Sequence, residues 1–412
     1  MIEKIKNKIR SDELLKGSFI LFIMINIFNL LNQVFHLIMA RLLGPADYGT
    51  LAVLFSLIYI FAIPSEAIQN IVTNYISRLN MKKENGKIRF FLFKSFKRSA
   101  KISIFLFILF IPVAFVLSYF LKIDSLLFLI TGLFIFLFFY IPLLRGVMQG
   151  KKKFVSLGFN MIIEGSIKVI FGVVFVILGL KVYGSIFGVM FGTLVSILIA
   201  FIMIKDVIKT KEEKEDFKGI YKYSMPYFIC MIAIVLMYSL DVIFAKRFFS
   251  PEIAGQYSAA STLGKIIFFG ILAIGKAMLP LASEKHQNHE KTPEILRKSL
   301  IISFCVAGFI LIFYYFMPEP IIRILFGSKY LEASNIVFIT GMGLSFLSFA
   351  NIIIIYGLAV NKIKNSSFFL FIFVILEIAI FYMFHESIVQ YSIGFLIINF
   401  LIFIYSILLV RD

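Results

Sequence analysis

The stretch Arg41-Leu-Leu-Gly-Pro-Ala-Asp-Tyr-Gly49 lies between two apolar runs, and Arg247-Phe-Phe-Ser-Pro-Glu-Ile-Ala-Gly255 lies between two more. Arg aligns with Arg, Pro with Pro and Gly with Gly at a constant offset of 206 residues, half of the 412-residue chain. Proline ends one helix or starts the next, and glycine lets two segments approach closely. The same punctuation at the same place in each half reads as a duplicated unit, each copy being the tight turn between that unit's first and second helices.

The runs around these turns set the fold class. Hydrophobic residues make up 60% of the chain and charged residues only 16%, and the mean hydropathy is +0.97, values far from those of a soluble domain. Apolar runs of bilayer-crossing length fall near 17–40, 50–77, 102–121, 125–144, 157–180, 183–204, 223–245, 257–281, 299–317, 334–358, 366–384 and 388–410. A crossing needs about 20 residues, so these twelve predict an all-α membrane protein of about 12 transmembrane helices. Barrel strands would be shorter and alternating, and the spans leave no room for a soluble catalytic domain. The basic first 16 residues do not read as a removed signal peptide; Ile2, Ile5 and Ile9 instead suggest a short interfacial helix.

The net charge of +18 has a plain reading in its distribution. Basic residues crowd alternate loops: Lys4 to Lys16, Arg78 to Lys101, Lys151 to Lys153 and Lys205 to Lys222, whereas the opposite loops hold one or two, such as Lys122, Lys181 and Lys329. By the positive-inside rule both termini face the cytoplasm and the protein sits in the cytoplasmic membrane. No nucleic-acid partner is needed to explain the charge. Cys230 and Cys305 lie inside predicted spans, and no Cys/His spacing suits zinc, so no metal, cofactor or disulfide is expected.

The charged stretch Lys209-Thr-Lys-Glu-Glu-Lys-Glu-Asp-Phe-Lys218 separates spans 6 and 7. It predicts an N-terminal six-helix lobe over 1–205, a cytoplasmic linker over 206–218 and a C-terminal six-helix lobe over 219–412. Six spans return each lobe to the same face, so the two are parallel repeats about an axis along the membrane normal. A weaker echo, Leu144-Arg-Gly-Val-Met-Gln-Gly-Lys151 against Ile355-Tyr-Gly-Leu-Ala-Val-Asn-Lys362, shares only a Gly and a Lys.

Three stretches carry a family resemblance: Ala40-Arg-Leu-Leu-Gly-Pro-Ala-Asp-Tyr-Gly-Thr-Leu-Ala52, the segment from Leu240-Asp-Val-Ile-Phe-Ala-Lys246 to Gly255-Gln-Tyr257, and Ile324-Leu-Phe-Gly-Ser-Lys-Tyr-Leu-Glu-Ala333. In this order, on twelve spans, the chain resembles the oligosaccharide flippase or polysaccharide transporter branch of the multidrug/oligosaccharidyl-lipid/polysaccharide exporter superfamily. The resemblance implies two lobes around a central V-shaped cavity that opens to alternate sides, and lipid-linked glycans as cargo.

Charge inside a bilayer is expensive, roughly 2.5 to 3.5 kcal/mol at a helix centre, so Glu66, Glu164, Lys168, Asp241, Lys265, Lys276 and Glu377 should face protein or water. Span 2 carries Glu66, Gln69, Asn70, Thr73, Asn74 and Ser77 at helical spacing. This stripe is read as a cavity wall, with interhelical glue as the alternative. Span 1 adds Asn26, Asn29, Gln33 and His36. Lys265 and Lys276 on span 8 are nearly three turns apart and share a face with no acid at helical spacing, a candidate site for a phosphate or pyrophosphate; snorkelling is the alternative, chiefly for Lys276. Glu164 and Lys168, four apart, are expected to pair. Asp241 can pair with Arg247, Arg41 or Lys265, or bind a coupling ion, and Glu377 has no evident partner. Arg41 and Arg247 supply forked donors for phosphate at equivalent places, or anchor to headgroups.

The function expected is translocation of a lipid-linked oligosaccharide, a polyprenyl phosphate or pyrophosphate glycan, by alternating access of a monomer in contact with membrane lipids. Arg41, Arg247, Lys265, Lys276, Gln69, Asn70 and Asn74 are the candidate substrate-binding residues, and Glu66, Asp241 and Glu377 the candidate coupling or gating residues for H+ or Na+. The alternative is an ion-coupled small-molecule or drug exporter of the same superfamily, resting on those carboxylates. A membrane enzyme is disfavoured because His36 and His385 have no suitable acid–base constellation and His286 and His289 sit in a loop.

Overall fold

A computed structural model describes residues 13–214, 225–360, 362–363 and 366–411. The suggested interfacial face of Ile2, Ile5 and Ile9, and residues 215–218 of the linker, lie outside the described residues.

The described residues form helices and no strands: α1 Glu13–Met81, α2 Asn85–Leu121, α3 Ser125–Gly132, α4 Phe134–Gly150, α5 Phe154–Phe175, α6 Lys181–Met203, α7 Lys205–Ile208, α8 Met225–Phe248, α9 Pro251–Gln287, α10 Pro293–Phe316, α11 Pro318–Leu325, α12 Ser334–Ala359, α13 Leu370–Met383 and α14 Ile388–Arg411. Among these residues nine segments are long and apolar enough to cross a bilayer, and Leu370–Met383 is a shorter apolar helix. Two of the nine, Ile23–Met81 and Phe154–Met203, run for 59 and 50 residues, more than two crossings need. Each breaks at a glycine in the left-handed region, Gly44 with φ 74° and Gly179 with φ 90°. Counting each as two crossings and adding the short helix gives the twelve read from sequence. The protein is integral to the membrane.

One boundary differs usefully from the sequence reading. The basic stretch before span 3, treated there as a loop, is the first part of α2, which starts at Asn85. Lys and Arg are good helix formers, so the helix does not stop where apolarity does.

The helices divide into two compact units, Met1–Leu42 with Phe61–Tyr223 and Leu43–Ile60 with Ser224–Asp412, counted over the described residues. Residues 43–60, placed by sequence in the first half, group with the second unit. In the first unit, Val72 and Ile76 of α1 pack with Ile88 and Phe91 of α2, Leu144 and Met148 of α4, and Ile204 and Val207 at its basic-loop end. At that end Asp206 is ion-paired with Lys151 at 2.8 Å and Lys153 at 2.5 Å. Partial burial works to raise its pKa, but the hydrogen bonds and charges of the two lysines outweigh it and hold the carboxyl below its ordinary range.

In the second unit the repeated punctuation finds its physical reason. Ser250 caps α9 by accepting from the Ile253 amide, and Pro251 starts the helix, as Pro45 does after Gly44. The two turns nest against each other: a Cβ on Gly255 would lie 2.0 Å from the Pro45 carbonyl oxygen, and one on Gly49 would lie 3.0 Å from the Gly255 amide nitrogen. Only glycine permits this approach. Around the contact, Tyr48 is fully buried and its hydroxyl shares a 2.8 Å hydrogen bond with Thr262. Its ring lies 6.0 Å from that of Phe326 and 6.1 Å from that of Tyr330. Gln256 donates to the Lys329 carbonyl at 2.8 Å and accepts from the Ala333 amide at 3.2 Å. All three stretches that carry the family resemblance therefore meet in one packed patch of the second unit.

Candidate functional site

The polar stripe of span 2 splits into two roles. Ser65, Gln69 and Thr73 face helix α4: Ser65 donates to the Phe138 carbonyl at 2.7 Å, and Gln69 and Thr73 donate to the Gln149 side-chain oxygen at 2.8 and 3.3 Å. These are interhelical hydrogen bonds of the kind that hold membrane helices together. Gln69, a candidate substrate ligand by sequence, is committed to this seam. Asn70, Asn74 and Arg78 follow one another at four-residue intervals and are exposed, while Glu66 and Ser77 are half-buried. An exposed polar row along a span does not suit hydrocarbon.

Deeper in the same unit, α4 and α5 carry a buried network. Arg145 donates through Nε to Asn160 Oδ1 at 3.1 Å, and through its second nitrogen it makes a short ion pair with Glu164. Thr193 donates to Glu164 at 2.9 Å, and Asn160 donates to the Ser196 carbonyl at 2.7 Å. The Arg145 guanidinium lies 5.9 Å from the Phe28 ring. Lys168 donates to Asn32 and lies 4.8 Å from the Phe35 ring. Lys168 keeps the expected charge interaction with Glu164, while the direct ion pair of Glu164 is with Arg145. The i,i+4 spacing is compatible with pairing, but a forked guanidinium from the neighbouring helix reaches Glu164 and bonds Asn160 as well.

The second unit holds the other cluster, on α8, α9, α13 and α14. Asp241 is fully buried. Its Oδ2 accepts from Ser261 at 2.6 Å and from Tyr257 at 3.4 Å, and its backbone carbonyl accepts from Tyr391 at 2.6 Å. Lys265 lies 3.7 Å from Oδ1, its side chain 9% exposed. Of the partners left open for Asp241 by sequence, the structure selects Lys265. The reading of Lys265 as a cation without an acidic partner is corrected: the acid comes from the adjacent helix α8, which spacing along one helix does not reveal. Glu377 is also fully buried, and neither of its carboxylate oxygens has a hydrogen-bond partner among the described residues. The charge of Asp241 reaches it. Two carboxyl groups, one ammonium and two tyrosine hydroxyls thus share a buried site in which the acids outnumber the single base.

The remaining sequence candidates are exposed: Arg41, Arg247 and Lys276. Lys276 stands on a face of α9 with Gly270, Ala273, Ala277 and Pro280, all exposed. His36 is buried, its ring 5.9 Å from that of Phe35. Sequence reasoning missed Arg145, Tyr257 and Tyr391. Arg145 was legible only if span 4 had been extended: helix α4 runs on to Gly150, which brings Arg145 inside the bundle.

Comparison with known proteins places this geometry in context. A family model described as "Polysaccharide biosynthesis protein" matches residues 38–335. Among solved structures, the inward-facing form of a multidrug resistance MATE family transporter of the MOP superfamily is similar with a TM-score of 0.75 and 13% identity, covering 93% of this chain and 94% of that one. The lipid II flippase MurJ in an inward closed conformation is similar with a TM-score of 0.70 and 16% identity over 95% and 88%. A MOP superfamily transporter from Pyrococcus furiosus, described as having a binding pocket of reverse polarity, is similar with a TM-score of 0.67 and 15% identity over 97% and 94%. No curated protein matches the chain. At these identities the structures show a shared fold.

Proposed function

Since the chain belongs to the polysaccharide biosynthesis protein family, its model matching most of the sequence, we propose that it is a flippase that carries a lipid-linked oligosaccharide across the cytoplasmic membrane by alternating access. The observation that carries this reading is the exposed row of Asn70, Asn74 and Arg78 on a membrane-spanning helix. Lipid does not favour such a row, whereas the hydroxyls of a glycan would use it. The phosphate end of the cargo finds exposed cations at Arg41, Arg247 and Lys276, and Lys265 acts through Asp241 instead of as a separate phosphate ligand. Asp241 and Glu377 form the coupling site, taking up H+ or Na+ on one side and releasing it on the other. Glu66 is a secondary candidate for that role. The structural likeness to the lipid II flippase supports the fold this mechanism needs.

The test is chemical. In a strain lacking the protein, polyprenyl-linked oligosaccharide should accumulate on the cytoplasmic side. Complementation with Asn70→Leu/Asn74→Leu should restore insertion but leave translocation slower on the order of thirtyfold, about one lost hydrogen bond of roughly 1 kcal/mol for each amide. Unchanged lipid pools in the deletion strain, or full activity of the double variant, would reject the proposal.

The orientation follows from the basic loops. In a Cys305→Ser background, Glu319→Cys should react with an impermeant thiol reagent on intact cells and Lys205→Cys should not. The reverse pattern would place both termini outside.

A further inference from the structure

The lower part of α2 carries a basic and aromatic groove that the transport reading does not use. It has a volume of about 370 Å³ and is lined by Arg89, Phe90, Phe93, Lys94, Lys97 and Glu212. Three cations and one carboxylate line it. The cations are seated on rings: the Arg89 guanidinium lies 5.6 Å from the Phe93 centroid and the Lys94 ammonium 5.2 Å from that of Phe90. Arg89 is fixed from below by donating to the Thr210 carbonyl at 2.7 Å, while its Nε is buried with no hydrogen-bond partner among the described residues.

What lies along the same helix identifies the occupant. The exposed face of α2 continues from Lys94, Lys97, Arg98 and Lys101 directly into Ile104, Phe105, Ile108, Leu109, Val113 and Val116. One continuous stripe thus changes from cationic to hydrocarbon-facing within about two turns, roughly 10 Å. A free anion has no use for the apolar part. An amphiphile whose headgroup carries a phosphate and whose chains run into the bilayer matches both parts at once.

We propose that this groove is a binding site for an anionic phospholipid of the surrounding bilayer, its phosphate between Arg89, Lys94 and Lys97 and its acyl chains along the Ile104–Val116 face. Bound there, the lipid bridges the start of the charged linker, at Thr210 and Glu212, to the helix that faces the membrane.

The probe is phosphatidylglycerol, added to full-length protein in detergent and read by native mass spectrometry against phosphatidylcholine. Wild type should retain phosphatidylglycerol preferentially. Lys94→Gln/Lys97→Gln should lose about 25-fold in retention, from roughly fivefold per interfacial cation. A variant that removes the same charge elsewhere, Lys205→Gln/Lys291→Gln, should keep it. Equal losses in both variants would mean that only net charge matters, and would overturn the site. Displacement of the lipid by millimolar inorganic phosphate would overturn the lipid as occupant. Loss of polyprenyl phosphate binding with phosphatidylglycerol retained would reassign the groove to the cargo. Thermal unfolding of each lipid-free variant, expected to match wild type, separates lost binding from lost folding.

Discussion

Arg145→Ala protein should fail to accumulate as a folded species, with a stability loss of about 3 to 5 kcal/mol. The reason is what the substitution leaves behind. Glu164 is only 14% exposed and Arg145 is its direct ion-pair partner, so truncation leaves a carboxylate with the neutral donor Thr193 and the charge of Lys168 but no direct cation. Arg145→Lys should recover part of the loss, because a point charge can serve Glu164 but cannot also hold the Nε bond to Asn160. Glu164→Gln placed in the Arg145→Ala background should recover more, since it removes the stranded charge. Lys168→Ala is the contrast: it removes a hydrogen bond to Asn32 and a charge interaction with Glu164 but leaves the Arg145 ion pair intact, so its loss should be smaller than that of Arg145→Ala. Fluorescence-detected size exclusion after a heating series measures all four. If Arg145→Ala is as stable as Lys168→Ala, the Arg145–Glu164 pair does not hold the first unit together.

The order of these effects shows what a sequence exposes and what it hides. Apolar run length is a local property, so twelve crossings were readable, and Pro and Gly are local signals, so the duplicated turn was readable too. Pairing is not local. Glu164 has Lys168 four residues away on its own helix yet is bonded by Arg145 from α4, and Lys265 finds its acid on α8. A helix offers side chains to several neighbours, and spacing along it says nothing about which neighbour is adjacent. The stripe of span 2 makes the same point. Six polar residues at helical spacing suggested one wall, but packing of α4 against one flank absorbs Gln69 and Thr73 and leaves Asn70 and Asn74 exposed. The family motifs were visible as strings, whereas their cause, the nesting of Gly49 and Gly255 under Tyr48 and Tyr330, needed three distant segments to be brought together.

Lys265→Ala should both unsettle the second unit and stop transport, and the two losses can be taken apart. Asp241 has no exposed surface, and without Lys265 its carboxylate keeps hydrogen bonds from neutral groups, Ser261 and Tyr257 among them, but loses its cation. Stranding this carboxylate costs about 3 to 5 kcal/mol, enough to deplete folded protein. Asp241→Asn in the same background removes the charge, so Lys265→Ala/Asp241→Asn should fold close to wild type. Glu377→Gln differs in kind. Its carboxyl group has no hydrogen-bond partner among the described residues, so Glu377→Gln breaks no hydrogen bond and the variant should be about as stable as wild type. If Asp241 and Glu377 exchange one proton or cation with the two sides of the membrane, however, both the double variant and Glu377→Gln must lose ion-dependent flipping despite folding well. Measured in proteoliposomes with an imposed H+ or Na+ gradient, a well-folded Glu377→Gln that flips its cargo at the wild-type rate would remove the coupling role from this cluster. A double variant that recovers folding and flipping together would reduce the Lys265–Asp241 pair to a structural clamp.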